Sequence, residues 1–178
     1  MNITKTYVSK FLIGAVVLMA AFLSSCSNND YVKNIPNNCT ALLSVDAKRV
    51  EGVDGSGLLK KILPVEDASS VGIDFKEKVY LFETVDGNIG LAAKIKNESD
   101  FTKNIDALVK SGVCARATKK ANISFVMIKN SWLVAYNSDA LMMVGPITVA
   151  ARPSVENFAI ACFRQEEEQS VMASKLYQ

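Results

Sequence analysis

Histidine is absent from the chain altogether. That removes zinc sites built on histidine and every Ser-His-Asp or Cys-His arrangement, since each needs an imidazole as ligand or base. Charge of one sign is also scarce. The 20 basic residues nearly match the 18 acidic ones, and no basic run exceeds a pair. Aromatic residues are not interleaved with those pairs, so the electrostatic footprint of a nucleic-acid binder is missing. Long apolar runs are lacking too. Phe11 to Leu23 holds 13 residues without a charge. As a helix it would span roughly 20 Å, against a hydrocarbon core of about 30 Å.

That run is the length of a signal-peptide h-region, and Lys5 and Lys10 precede it with no acidic residue. Leu23-Ser24-Ser25-Cys26 closes it. The small Ser24 and Ser25 leave room for a peptidase to reach the backbone, and Leu23 fills an apolar subsite. The pattern resembles the bacterial lipoprotein signal, or lipobox. The resemblance implies a diacylglyceryl group on the Cys26 sulfur, cleavage after Ser25 and acylation of the new amine with chains such as palmitate. Two or more chains anchor durably where one holds only marginally. An ordinary signal peptide with a coincidental cysteine, and an uncleaved signal anchor, are the alternatives. Ser27 follows the cysteine where Asp would suggest inner-membrane retention, so the outer membrane is favoured. Ser27-Asn28-Asn29-Asp30 supplies one acid. The leaflet therefore stays open between periplasmic and surface, with the periplasmic side favoured.

Removing residues 1–25 takes away Lys5 and Lys10 and no acid, leaving 18 basic against 18 acidic residues. The mature chain is thus close to neutral. Its length suits one domain with one core. Cys39, Cys114 and Cys162 remain, widely spaced among apolar or small residues. One disulfide with a spare thiol is conceivable in an oxidising envelope, but buried inert thiols are the default.

Residues 1–25 read as the signal peptide, 26–38 as a lipidated tether, 39–165 as the folded domain and 166–178 as a polar C-terminal segment with the start of a further helix. Thr40 to Val45 reads as a strand. Ala47 to Leu63, interrupted by Gly52, Gly55 and Gly57, reads as two short helical pieces stopped by Pro64. Lys78 to Thr84 and Asn88 to Lys96 flank the turn Val85-Asp86-Gly87. In the second of these strands Ile89, Leu91, Ala93 and Ile95 are expected on a buried face, with Gly90, Ala92, Lys94 and Lys96 facing water. Asn97 caps a helix with Asp100 in the reciprocal position, a stripe of Phe101, Ile105, Leu108 and Val109, and Gly112 at its end. Ile123 to Ile128 and Trp132 to Tyr136 flank Lys129-Asn130-Ser131, and Ala140 to Val144 runs into Gly145-Pro146. Ser154 is expected to cap a last stripe of Val155, Phe158, Ala159 and Cys162. This order argues for an α+β fold, an antiparallel-rich β-sheet with helices packed on one face.

Four constellations invite a chemical reading. Glu166-Glu167-Glu168 offers acids for a hard cation, but three consecutive helical residues point in different directions, so a solvated helix end is expected. Asp54-Gly55-Ser56-Gly57 lacks the P-loop Lys and the other calcium ligands, so it reads as a loop. Asp46, Asp74 and Asp86 would serve as paired carboxylates if brought together, yet each stands at a strand end or turn. Trp132, Tyr136, Phe125 and Tyr80 would form a glycan platform on a shared exposed face, though strand aromatics more often fill a core. No catalytic, metal-binding or cofactor residues are assigned.

Tyr31, Ile35-Pro36, Ala41-Leu42-Leu43-Ser44-Val45-Asp46, Ser56-Gly57-Leu58 and Gly72-Ile73-Asp74 form one series. Val79-Tyr80-Leu81-Phe82, Asp86-Gly87-Asn88-Ile89-Gly90-Leu91, Trp132-Leu133-Val134-Ala135-Tyr136-Asn137 and Gly145-Pro146 continue it. The series resembles an uncharacterised lipoprotein family of Bacteroidota, the domain-of-unknown-function family 4836. These are packing and turn motifs, and the resemblance brings no activity or site residues. Members of that family are usually much longer, so the chain reads either as a short member or as a truncated product. Truncation would expose an unpaired sheet edge and invite self-association. The expected role is a non-enzymatic envelope lipoprotein that binds or scaffolds an envelope protein or glycan, held to the membrane through lipid on Cys26. A carboxylate-dependent hydrolase is the alternative.

Overall fold

The computed structural model describes residues 29–46 and 71–177. The lipobox Leu23-Ser24-Ser25-Cys26, the helical pieces expected in 47–63 and the Asp54-Gly55-Ser56-Gly57 loop lie outside the described residues.

Apolar and β-branched runs bounded by turn residues build one antiparallel sheet. Its strands are β1 (Ala41–Val45), β2 (Val79–Glu83), β3 (Ile89–Lys94), β4 (Thr118–Lys120), β5 (Ile123–Ile128), β6 (Trp132–Tyr136) and β7 (Ala140–Gly145). They lie in the order β1-β2-β3-β7-β6-β5-β4. Asp86-Gly87 closes the β2–β3 hairpin, with Gly87 at φ +78° and the Gly87 N–H donating to the Thr84 carbonyl at 2.9 Å. Lys129 and Asn130, both at positive φ, turn β5 into β6.

Helix α1 (Glu98–Lys110) starts as its sequence demands. The Asn97 side chain accepts from the Asp100 N–H at 3.1 Å. The reciprocal half of the capping box is replaced: the Asn97 N–H donates to the Gly72 carbonyl at 3.1 Å, and the Asp100 carboxylate pairs with Lys103. Helix α2 (Arg152–Arg164) begins earlier than expected. Ser154 lies inside its first turn rather than capping it, because a 3-10 turn at Val149–Ala151, capped by Thr148, runs directly into Arg152-Pro153. Proline suits that first turn, where its missing N–H leaves no bond unmade.

The α+β class and the antiparallel sheet are as expected, but the helices cover opposite faces. Tyr80, Phe82, Ala92, Phe125, Leu133 and Met142 point to one core with α2. Their strand neighbours Leu91, Ala93, Val126, Val134 and Leu141 point to the other with α1. The water-facing side assigned to β3 is therefore wrong for Gly90 and Ala92, which are buried. A sheet covered on both faces reads as nearly continuous apolar sequence, as Ala140-Leu141-Met142-Met143-Val144 does.

The domain is also wider than 39–165. Tyr31, Val32 and Ile35 are buried on the α2 side, although 26–38 reads as a tether. Residues 166–177 fold back onto them: Pro36 bridges Ser170, the Val171 N–H donates to the Ile35 carbonyl at 2.8 Å, and Gln165 donates to the carbonyls of Lys33 and Ile35. Cys39, Cys114 and Cys162 are buried and unbonded.

Candidate functional site

The sequence-derived candidates disperse. Asp46 follows the last residue of β1, beside the start of β2, whereas Asp86 sits in the hairpin at the far end of β2. Asp74 is folded into its own turn, where its carboxylate accepts from the Lys76 N–H at 3.0 Å. These three carboxylates do not form a common centre. Glu166, Glu167 and Glu168 are exposed, and Glu166 is engaged with Gln169 in a capping box around the 3-10 turn Glu167–Gln169. Among the described residues no three His, Cys, Asp or Glu side chains gather as a metal-binding set. The aromatic platform is divided by the sheet. Tyr80 and Phe125 face the α2 core, while Tyr136 and Trp132 face the α1 core, with Phe101 and Tyr136 in edge contact at 4.8 Å.

A concavity instead gathers around tyrosines that no motif of the sequence combines. A groove of about 280 Å³ is lined by Leu42, Ser44, Lys78, Tyr80, Leu176 and Tyr177. Tyr80 stacks obliquely between Tyr31, at 6.1 Å, and Tyr177, at 6.2 Å. The Tyr31 hydroxyl donates to the Lys78 carbonyl at 2.7 Å, which pins the N-terminal 3-10 turn (Val32–Asn34) to the start of β2. Burial pushes the Tyr31 and Tyr80 phenols above their ordinary range, with neighbouring tyrosines and Glu77 adding to the shift. Both stay protonated at any physiological pH. The groove therefore offers hydroxyl donors, one ammonium and two leucine side chains, a set suited to holding a polar or amphipathic partner rather than to moving protons. A smaller hollow of about 160 Å³ lies at the opposite end of β2, near Thr84, Asp86, Asn88 and Phe158.

The two sheet edges differ sharply. At one, β4 is three residues long and carries Lys119 and Lys120. Lys120 reaches Glu156 on α2 at 2.5 Å, and Arg152 reaches the same carboxylate at 2.7 Å. At the other edge β1 reads Ala-Leu-Leu-Ser-Val, with neither charge nor proline. Ala41, Leu43 and Ser44 are exposed, Leu43 by 58%. Natural sheets blunt such edges with charge, proline, bulges or brevity. β4 follows that rule; β1 does not. Sequence spacing holds no sign of the groove, whose two tyrosines, Tyr80 and Tyr177, come from distant segments, though Leu42, Ser44 and Tyr80 all stand within the motifs quoted above.

Comparison with known proteins adds a family and a distant shape. The profile of a family described as a domain of unknown function, DUF4836, matches residues 32–178. No curated protein matches the chain. Among solved structures, a GTP-binding regulator from Thermotoga maritima aligns over 82% of this chain and 91% of its own, with 16% identity and a TM-score of 0.39. At that score the likeness carries no argument about activity.

Proposed function

The chain belongs to the DUF4836 family, and from that premise we propose that it is a lipid-anchored, non-enzymatic lipoprotein of the bacterial outer membrane. Its role is to bind an extended segment of another envelope protein along β1. The lipobox Leu23-Ser24-Ser25-Cys26 supplies the anchor. One observation carries the binding role: β1 is an uncharged five-residue edge strand bordering the tyrosine groove, while the opposite edge is short and lysine-bearing. An edge strand offers a partner a row of backbone donors and acceptors, and adjoining pockets select its alternate side chains. That geometry favours a polypeptide over a glycan.

A photo-crosslinking residue at Leu43, in the full chain expressed in intact cells, tests the reading. A discrete adduct with another envelope protein is expected, absent when the crosslinker sits at exposed Lys119 on the other edge. An adduct of exactly two copies of this chain, or none, would sink the partner claim. Acyl chains on Cys26 in the intact mass of the same preparation support the anchor, and an unmodified thiol refutes it.

A further inference from the structure

Tether length and the surface at its root point to a second contact. We propose that the end of the sheet carrying Tyr31, Lys78 and Tyr177 rests on the lipid headgroup layer, so that the bilayer surface holds the body in one orientation. This rests on the lipid anchor at Cys26 proposed above.

The first core residue, Tyr31, is 3% exposed and fixed by its hydrogen bond to Lys78. It follows Cys26 by only five positions. Fully extended chain reaches at most about 3.6 Å per residue, so the anchor point lies within about 18 Å of Tyr31. The headgroup layer itself occupies several ångströms of that distance. The body therefore has no room to stand clear of the surface or to turn its far end inward. Along β2, Val79 lies at the tether end and Glu83 at the other, with the Asp86 hairpin beyond it. At about 3.4 Å per residue, that hairpin sits more than about 15 Å farther out.

The side chains at the tether end have the composition of an interface. Leu176 is a large apolar side chain left 48% exposed. Tyr177 is half-buried beside it, and the exposed Lys78 stands across the same groove. Lys175 precedes Leu176 and is exposed. Tyrosines and lysines with apolar bodies and polar tips settle at the headgroup level, where each end finds its preferred medium. Asp74 and Glu77 stand at the same end, close enough to act on Tyr31. The contact is thus not one of net charge, and it holds on vesicles without anionic lipid.

Fluorophores on Lys76→Cys and Asp86→Cys, each in the full lipidated chain, test this on phosphatidylethanolamine/phosphatidylcholine vesicles carrying a headgroup-attached nitroxide. The three native thiols of the described residues are buried and leave the labelling selective. Quenching at position 76 is expected to exceed that at 86 by at least about threefold, given the distances above. Inserting about twenty Gly/Ser residues after Ser27 should abolish the difference, because a long flexible tether frees the orientation. Equal quenching at both positions, in protein whose mass shows the acyl chains, overturns the orientation and leaves the anchor intact. Protein with an unmodified Cys26 overturns both.

Discussion

Glu156 on α2 and Lys120 on β4 meet at 2.5 Å, joining the last strand of the sheet to the helix that covers it. The Glu156 side chain is only 4% exposed, while that of Lys120 is 55% exposed. Arg152, one helical turn before Glu156, holds the other carboxylate oxygen and also bonds Thr118. Removing one partner of a fully enclosed pair costs roughly 3–5 kcal/mol. Here water still reaches the cations, so Glu156→Gln is expected to cost about 1–3 kcal/mol. Urea denaturation of wild type and variant measures it.

The same carboxylate sets an acid limb. Burial works against its ionisation, but the hydrogen bonds and charges of Lys120 and Arg152 together outweigh burial and hold it below the ordinary carboxylate range. A lowered folded pKa means that the unfolded chain binds the proton first. The contribution is therefore complete above the ordinary carboxylate range and is lost as pH falls through the folded value. Stability measured at pH 7 and at about pH 3 should fall less in Glu156→Gln than in wild type. An identical fall in both would show that Glu156 does not set this limb.

Gly72 is irreplaceable for two reasons that Gly87 separates. Both adopt positive φ, +83° and +78°. A Cβ on Gly72 would lie 2.5 Å from the Asn97 carbonyl oxygen and from the Phe101 backbone nitrogen, whereas one on Gly87 meets nothing. Gly72 also receives the N–H groups of Lys96 and Asn97 on its carbonyl, so it seats the start of α1. Gly87→Ala should cost only the left-handed penalty, about 1–2 kcal/mol. Gly72→Ala adds a backbone clash and should cost at least about 3 kcal/mol. Equal midpoints in a denaturation series would refute the close approach.

The thiols report on core integrity. Burial pushes Cys162 up to about 12, and it raises Cys39 and Cys114 as well. A thiol-reactive disulfide reagent at pH 8 should find these three unreactive in native protein and fully reactive in urea. Raised folded values also mean that stability declines as pH climbs from about 9, where unfolded thiols ionise, towards the folded value.

What could be read along the chain was local. Asp86-Gly87, the Asn97 cap and the Phe101/Ile105/Leu108 stripe each act within a few residues, and each appears where expected. The second layer was hidden because small residues look solvent-facing when they are in fact making room. A side chain on Gly90 would collide with the Phe82 ring, so the glycine is buried beneath an aromatic rather than wet. β4 carries no strand signature because Thr118-Lys119-Lys120 is polar throughout and its turn, Ala121-Asn122, takes positive φ without a glycine. The tyrosine cluster beside the groove joins Tyr31, Tyr80 and Tyr177 across the whole chain, and no spacing rule encodes that.

Leu43 separates binding from folding. It is exposed on β1 opposite Leu81, so its side chain contributes little to either core. Leu43→Lys should change stability by no more than about 0.5 kcal/mol, as exposed substitutions usually do. The new ammonium faces the path of an incoming strand, and lysine on an edge is the device by which natural sheets refuse such pairing. With the crosslinker moved to Ser44, capture of the partner should therefore fall at least about tenfold in Leu43→Lys, corresponding to roughly 1.4 kcal/mol of binding. Lys119→Leu, a change of similar size on the protected edge, should leave capture unaltered. Undiminished capture in Leu43→Lys would move the binding surface off β1 while leaving the fold as described.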